Sequence, residues 1–201
     1  MLNSPSEEVS IKPSKLYEAL QALIGERVPL HIWGACGVGK SQIVSQVASD
    51  LDYDFLDVRA VQLDPVDLRS LPRIAEGKTE WVPPKFLPTT GKGILFHDEL
   101  TTAPPMTQAG CYQLALDRKL GEYVLPDGWV AIAAGNPALE RGVHFAMSPP
   151  LRKRFVHLGC SGGQNGGQHT ETILAEVTRH IGSFFLGVRT HHHSEIESAR
   201  R

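Results

Sequence analysis

Residues Gly34-Ala35-Cys36-Gly37-Val38-Gly39-Lys40-Ser41 follow the spacing G-x-x-x-x-G-K-[ST]. Glycines in such a run let the backbone curl until successive N–H groups face one point, which is what a phosphate chain requires. Lys40 would then reach the β- and γ-phosphates, and the Ser41 hydroxyl would ligate Mg²⁺. The run is preceded by an apolar stretch, "VPLHIW", and followed by an amphipathic one, "GKSQIVSQVASDL". Strand, loop and helix in that order put a positive helix end behind the anion. Cys36 lies in the variable part of the pattern and reads as a small packed residue rather than a redox switch.

Two acids, Asp98 and Glu99, close the most apolar run of the chain, "GILFHDEL". Ligands of parallel sheets bind at the carboxyl ends of strands. An Asp there can hold Mg²⁺, and a Glu beside it can take the proton of an attacking water. A lone acid suits a kinase or a GTPase, whereas the pair favours hydrolysis by a motor. His97 interrupts the run and reads as a hydrogen-bonded interior histidine, with no second His or Cys at metal spacing. Asn136 ends another apolar run, "WVAIAAGNP", where its amide could hold a water or the γ-phosphate, or serve as a turn residue. Arg152, Lys153 and Arg154 follow in "SPPLRKRF". An arginine there could stabilise a transferring phosphoryl group, or simply end a helix favourably.

The elements that must position these groups alternate. Leu16, Leu20, Leu23 and Ile24 repeat at helical spacing over Ser14–Ile24, and Ile43, Val44, Val47 and Leu51 do so after the glycine loop. "DFLDV" reads as a strand. The long segment "LDPVDLRSLPRIAEGKTEWVPPKFLP" contains a Gly77-Lys78 turn between short strands and is too long for a plain connection. "PPMTQAGCYQLALDRKL" predicts a helix with Met106, Cys111, Leu114 and Ala115 on one side, and "GEYVLPDG" a hairpin turning at Pro126 and Asp127-Gly128. Such alternation indicates an α/β sandwich around a mostly parallel sheet.

The sequence has 201 residues and a formal charge of -2, which argues against nucleic acid as a direct ligand. No apolar run approaches the ~18 residues of a membrane span, and the polar start "MLNSPSEEVS" is unlike a signal peptide. Cys36, Cys111 and Cys160 are odd in number and widely spaced, as for thiols in a reducing, cytoplasmic setting. After His157 the character changes to a Gly-rich stretch, then a weak helix carrying Ile173, Leu174, Val177 and Ile181. The division expected is a nucleotide-binding core over 1–158, with the helix at 14–24 included, and a linker with short helical tail over 159–201.

Glycine loop, Asp-Glu strand, Asn strand and "LRKRF" in this order resemble the AAA+ ATPases, and within them the MoxR-like group. "RIAEGKTEWVPPKFLP" sits where that group inserts a hairpin in its second helix, and "LGEYVLPDGWVAIAAGNP" resembles its hairpin before the sensor strand. The similarity runs from about Pro29 to Leu158. It implies a P-loop NTPase three-layer sandwich with a five-stranded sheet in the order 5-1-4-3-2 and hairpin insertions. By resemblance Lys40 and Ser41 are the Walker A contacts, with the loop Gly34 to Gly39 around the phosphates, Asp98 and Glu99 the Walker B pair, and Asn136 sensor 1. Arg154 takes the place of the arginine finger that acts on ATP in the next subunit, with Arg152 as second candidate. The implied activity is ATP hydrolysis with Mg²⁺ in a hexameric ring that remodels protein clients, often beside a von Willebrand factor A-domain partner. Trp81 would face the pore or substrate side, or pack beneath its hairpin.

One departure concerns the lid. The family places several helices and a sensor 2 arginine after the finger, whereas here Arg179 and Arg189 stand in no lid motif, and His191–His193 form no evident site. Two other classes of function are therefore kept open: a nucleotide-binding scaffold without turnover, and a small-molecule P-loop kinase. Glu99 argues against the first, and the paired hairpin insertions against the second.

Overall fold

Short apolar runs bounded by turn residues alternate along this chain with stretches of helical period, and the fold follows that alternation. A computed structural model describes residues 9–68, 71–137 and 144–161. The chain divides into two units, 1–167 and 168–201, and every described residue lies in the first. Its elements begin with β1 (Val9–Ile11), α1 (Pro13–Ile24), β2 (Leu30–Gly34), α2 (Lys40–Asp50) and β3 (Asp54–Arg59). A short helix, α3 (Pro65–Leu68), leads to a hairpin of β4 (Leu71–Ala75) and β5 (Lys78–Val82). Next come β6 (Lys92–Asp98), α4 (Pro105–Asp117), and a second hairpin of β7 (Lys119–Leu120) and β8 (Tyr123–Val124). β9 (Gly128–Gly135), α5 (Pro149–Arg152) and β10 (Val156–Cys160) complete it.

The main sheet runs β1-β10-β2-β9-β6-β3, and every pairing in it is parallel. Leaving out β1 and the hairpins, the strands stand in the order 5-1-4-3-2 that the resemblance implies. The sixth strand is a correction. β1 pairs Val9 with Leu158 and Ile11 with Cys160, so its partner lies at the far end of the fold and its three residues are too few to show a period. β10 also runs on through Gly159 and Cys160, which the sequence reading assigned to the linker.

Alternation along the strands builds two covered faces. On one, Val58, Leu95, Ala131, Ala133 and Trp129 pack with Cys111, Tyr112 and Leu114 of α4. The residues between them, Ile32, Ile94, Phe96 and Ile132, are buried as well, so the other face is also covered. There α1 and α2 lie against one another, α1 against β10 and α2 against β3 and β6. These are the layers of an α/β sandwich with helices on both faces. Each parallel strand can be near-continuously apolar because both faces are covered.

Two local expectations change. Met106 is 59% exposed while Cys111, Leu114 and Ala115 are buried. The reason is angular: five residues of helix separate Met106 from Cys111 by roughly 140°. The second hairpin turns at Gly121-Glu122, since Leu120 pairs with Tyr123, and Pro126-Asp127 instead forms the tight entry to β9. Trp81 is half-exposed and Ile74 on the facing strand almost fully so. The tail helix, Arg179, Arg189 and His191–His193 lie outside the described residues.

Candidate nucleotide site

Three neighbouring strands, β2, β9 and β6, end at the same edge of the sheet and deliver the loop, Asn136 and the acid pair to one place. The loop after β2 turns through Gly37 at φ +76° and Gly39 at φ +90°, conformations that only glycine adopts without strain. A side chain at Gly37 would meet no other atom within 4 Å among the described residues. Lys40 begins α2 and is buried, yet among the described residues its ammonium has only neutral partners. Nζ donates to the carbonyls of Gly34 (2.6 Å) and Ala35 (3.0 Å) and to Oδ1 of Asn136 (2.9 Å).

A buried cation held by neutral dipoles alone is short of an anion. The loop therefore fits a phosphate chain on the strength of its own electrostatics. Ser41 Oγ donates to Asp98 Oδ2 at 3.2 Å, which puts two hard oxygens side by side, the donor type that Mg²⁺ takes. Among the described residues no group of three His, Cys, Asp or Glu side chains is placed to hold a metal by itself.

Glu99 follows Asp98 in a left-handed conformation, φ +54°, and its N–H donates to Asp98 Oδ1 at 2.8 Å. The Thr102 hydroxyl donates to the Glu99 carbonyl at 2.8 Å. This turn takes the chain out of the sheet at the acid pair. Asp57 on neighbouring β3 is raised above the usual carboxyl range, first by burial, then by Asp98 and Glu99, with Arg59 opposing. The sequence reading did not single out Asp57, because its proximity arises only from strand pairing.

Asn136 is held from three sides. Its Nδ2 donates to Cys36 Sγ (3.0 Å), its Oδ1 accepts from Lys40, and its backbone N–H donates to Thr101 Oγ1 (3.2 Å). Cys36 is exposed in the loop, not packed as expected. Thr101 is fully buried and was not anticipated; no motif marks it. Gly135 is equally necessary there, since a Cβ would lie 2.5 Å from Thr101 Cγ2 and 2.9 Å from its Oγ1. Gly135→Ala is expected to destabilise the fold by about 1–3 kcal/mol, as overpacking does. Urea denaturation checks this, and an unchanged midpoint would contradict it.

Arg154 and Arg152 do not join the site. Val156 pairs with Leu30 and Cys160 with Gly34, so both arginines precede β10 at the opposite edge of the sheet. About 15 Å of strand lies between them and the glycine loop of their own chain. Arg154 Nη2 donates to Asp117 Oδ1 at 2.9 Å, both half-exposed.

His97 is buried, but neither ring nitrogen has a hydrogen-bond partner among the described residues, contrary to expectation. Burial pushes it down to about 4. The same row of the sheet brings His157, His31, Ala133, His97 and Val58 side by side on the α4 face. Among the described residues His31 also has two unpartnered nitrogens, and its pKa is held well below the usual range, first by burial, then by the proximity of His157, Arg152 and Lys40.

The sign of the pH effect follows. Below the ordinary imidazole pKa of 6.5 the unfolded chain takes up protons that the native rings refuse. Stability is full above that pH and is lost as the pH falls below it. His31→Phe keeps a ring beside Trp33, Tyr112 and Phe155 and removes one titrating group. Its stability is expected to fall less steeply than that of the parent between pH 6.5 and about 5 in urea titrations. Parallel slopes would contradict the assignment.

The comparison with known families decides what kind of domain this is. Residues 29–155 match the AAA domain of the dynein-related subfamily. The chain belongs to this family. Among solved structures, the AAA domain is similar to "a putative ATPase" from Cytophaga hutchinsonii, with 19% identity and a TM-score of 0.55 over 87% of this chain and 52% of that one. It is also similar to NtrX from Brucella abortus in complex with ADP, with 18% identity and a TM-score of 0.49 over 73% of this chain and 34% of that one. A RuvB Holliday junction branch migration motor from Thermotoga maritima gives 20% identity and a TM-score of 0.47, over 74% and 42%. The chain thus spans about half the length of the first of these structures. Comparison with curated proteins gives no match. Among the described residues no helix is long and apolar enough to cross a membrane.

Proposed function

We propose that this AAA domain binds ATP with Mg²⁺ and hydrolyses it as one subunit of a ring, in the manner of MoxR-like remodellers. The observation that carries this reading is the convergence of Lys40, Ser41, Asp98 and Asn136 at the ends of adjacent strands, with Glu99 next in the chain. Lys40 holds the β- and γ-phosphates, with the loop from Gly34 to Gly39 around them. Ser41 and Asp98 would hold Mg²⁺, and the ion would neutralise charge on the phosphate oxygens. Glu99 takes the proton of the attacking water, and the Asn136 amide orients that water.

Charge on the transferring phosphoryl group is then met by an arginine from the next subunit, Arg154, with Arg152 as second candidate. Their station at the far edge of the sheet supports action in trans, because neither is near the loop of its own chain. The half-exposed Trp81 and exposed Ile74 support a hairpin that meets a protein client on the ring. A hexamer, a von Willebrand factor A-domain partner and a cytoplasmic setting complete the reading.

Mixing subunits tests it. Arg154→Ala keeps an intact nucleotide site, and Glu99→Gln keeps an intact arginine. Each alone is expected to be inactive, and an equimolar mixture to regain ATP turnover. A mixture as inactive as its components would contradict catalysis between subunits.

A further inference from the structure

Trp33 is the last residue before Gly34, the first glycine of the nucleotide loop, and its ring is buried. Its indole Nε1 lies 2.7 Å from His157 Nδ1, and the two rings are stacked with centroids 5.9 Å apart and 27° between planes. His157 Nε2 lies 2.7 Å from the carbonyl oxygen of Arg152. These partners assign the roles of the two ring nitrogens. An indole N–H only donates and a carbonyl only accepts, so Nδ1 is unprotonated and Nε2 carries the proton. In this bridge His157 turns an acceptor to β2 and a donor to the end of α5.

This bridge joins two regions that the proposed reaction keeps apart. On one side is the strand that becomes the phosphate loop, on the other the turn that carries Arg152 and Arg154. The loop end is closely seated: a Cβ on Gly34 would stand 2.9 Å from the Cys160 carbonyl oxygen of β10. Gly34 is also the residue whose carbonyl accepts from Lys40 at 2.6 Å. That carbonyl stands one residue from Trp33, so the loop lysine and the indole share a short stretch of backbone. Two hydrogen bonds, indole to imidazole and imidazole to carbonyl, connect this residue with the end of α5.

We infer that Trp33 and His157 are positioning residues that couple the nucleotide loop of a subunit to the arginine segment which the same subunit presents to its neighbour. The inference rests on the proposed hydrolysis between subunits, and its test has an arm that does not. Simple aromatic packing would need the rings alone. The coupling needs the hydrogen bonds, which Trp33→Phe and His157→Phe remove while retaining a ring. His157→Gln keeps one acceptor and one donor.

The first arm is NMR of the ¹⁵N-labelled full chain, with Mg²⁺ and a non-hydrolysable ATP analogue as the probe. His157 is expected to show the Nε2–H tautomer, and analogue binding to shift the Arg152 and Arg154 signals. In Trp33→Phe those shifts vanish while the analogue binds with affinity within about twofold of the parent. The second arm is steady-state turnover. Both Phe variants are expected to lose about tenfold or more in kcat with KM little changed, as misplaced groups do. The double variant is no worse than either single one, and His157→Gln recovers most of the loss.

An Nδ1–H tautomer, or undiminished Arg154 shifts in Trp33→Phe, would overturn the inference. So would a loss of kcat that His157→Gln does not relieve. A chain that binds the analogue but never turns over ATP would contradict the proposed hydrolysis instead, and the NMR arm alone would then decide the coupling. A chain that binds no analogue overturns both.

Discussion

Glu99→Gln is expected to bring ATP turnover down by about a hundredfold or more while leaving ATP bound, the usual loss when a general base is removed. The variant is nearly isosteric, and the features that hold residue 99 are backbone features. Its N–H donates to Asp98 Oδ1, its carbonyl accepts from Thr102, and its φ of +54° is set by the exit from β6. None of these needs a carboxylate, so the glutamine is expected to sit where the glutamate does. What it lacks is the capacity to take a proton. Rapid-quench turnover together with retention of nucleotide through gel filtration separates binding from chemistry. Turnover equal to the parent would show that another group takes the proton, and Asp57, raised by burial beside Asp98, would be the first to test.

Lys40→Met is expected to act at the earlier step. The Lys40 ammonium has three neutral partners and carries a positive charge into a buried place. Methionine retains much of the stem and removes that charge, so the fold is expected to persist. Phosphate binding loses at least one charge-assisted hydrogen bond, at about 1.5–3 kcal/mol each. Two such bonds correspond to a loss of about a hundredfold or more in ATP affinity. Calorimetric titration of ATP into parent and variant measures it directly. Equal affinities would mean that nucleotide is held elsewhere.

The parts of this architecture that were legible in the amino-acid order are those encoded locally. The glycine loop announces itself because its backbone needs Gly37 and Gly39 and its chemistry needs Lys40, all within eight residues. β6 and β9 are readable because both their faces are buried, which makes them unbroken apolar runs ending in the polar groups that matter. The strand order is not written in any periodicity; it came with the resemblance, and the sheet bears it out.

What was not legible depends on distant pairing. β1 is three residues long and finds its partner some 150 residues later, so neither length nor period could reveal it. Thr101 and Gly135 matter to Asn136 because one turn of chain folds under another, a contact without a local signature. His97 looked like a residue that must find a partner, yet it sits in an apolar row between Val58 and Ala133 and is kept neutral by burial. The Trp33–His157 bridge joins residues 124 positions apart. Met106 shows the opposite error, where a plausible apolar stripe was drawn one residue too wide for the helix angle.

Phosphate release from ATP per subunit, followed across a dilution series of the parent chain with Lys40→Met as the blank, tests the central claim most directly. The account predicts release that depends on Lys40 and rises more steeply than in proportion to protein concentration, as sites complete one another between subunits. Release that stays constant per subunit at every dilution would contradict the trans arginine. No Lys40-dependent release at any concentration would contradict hydrolysis at this site altogether.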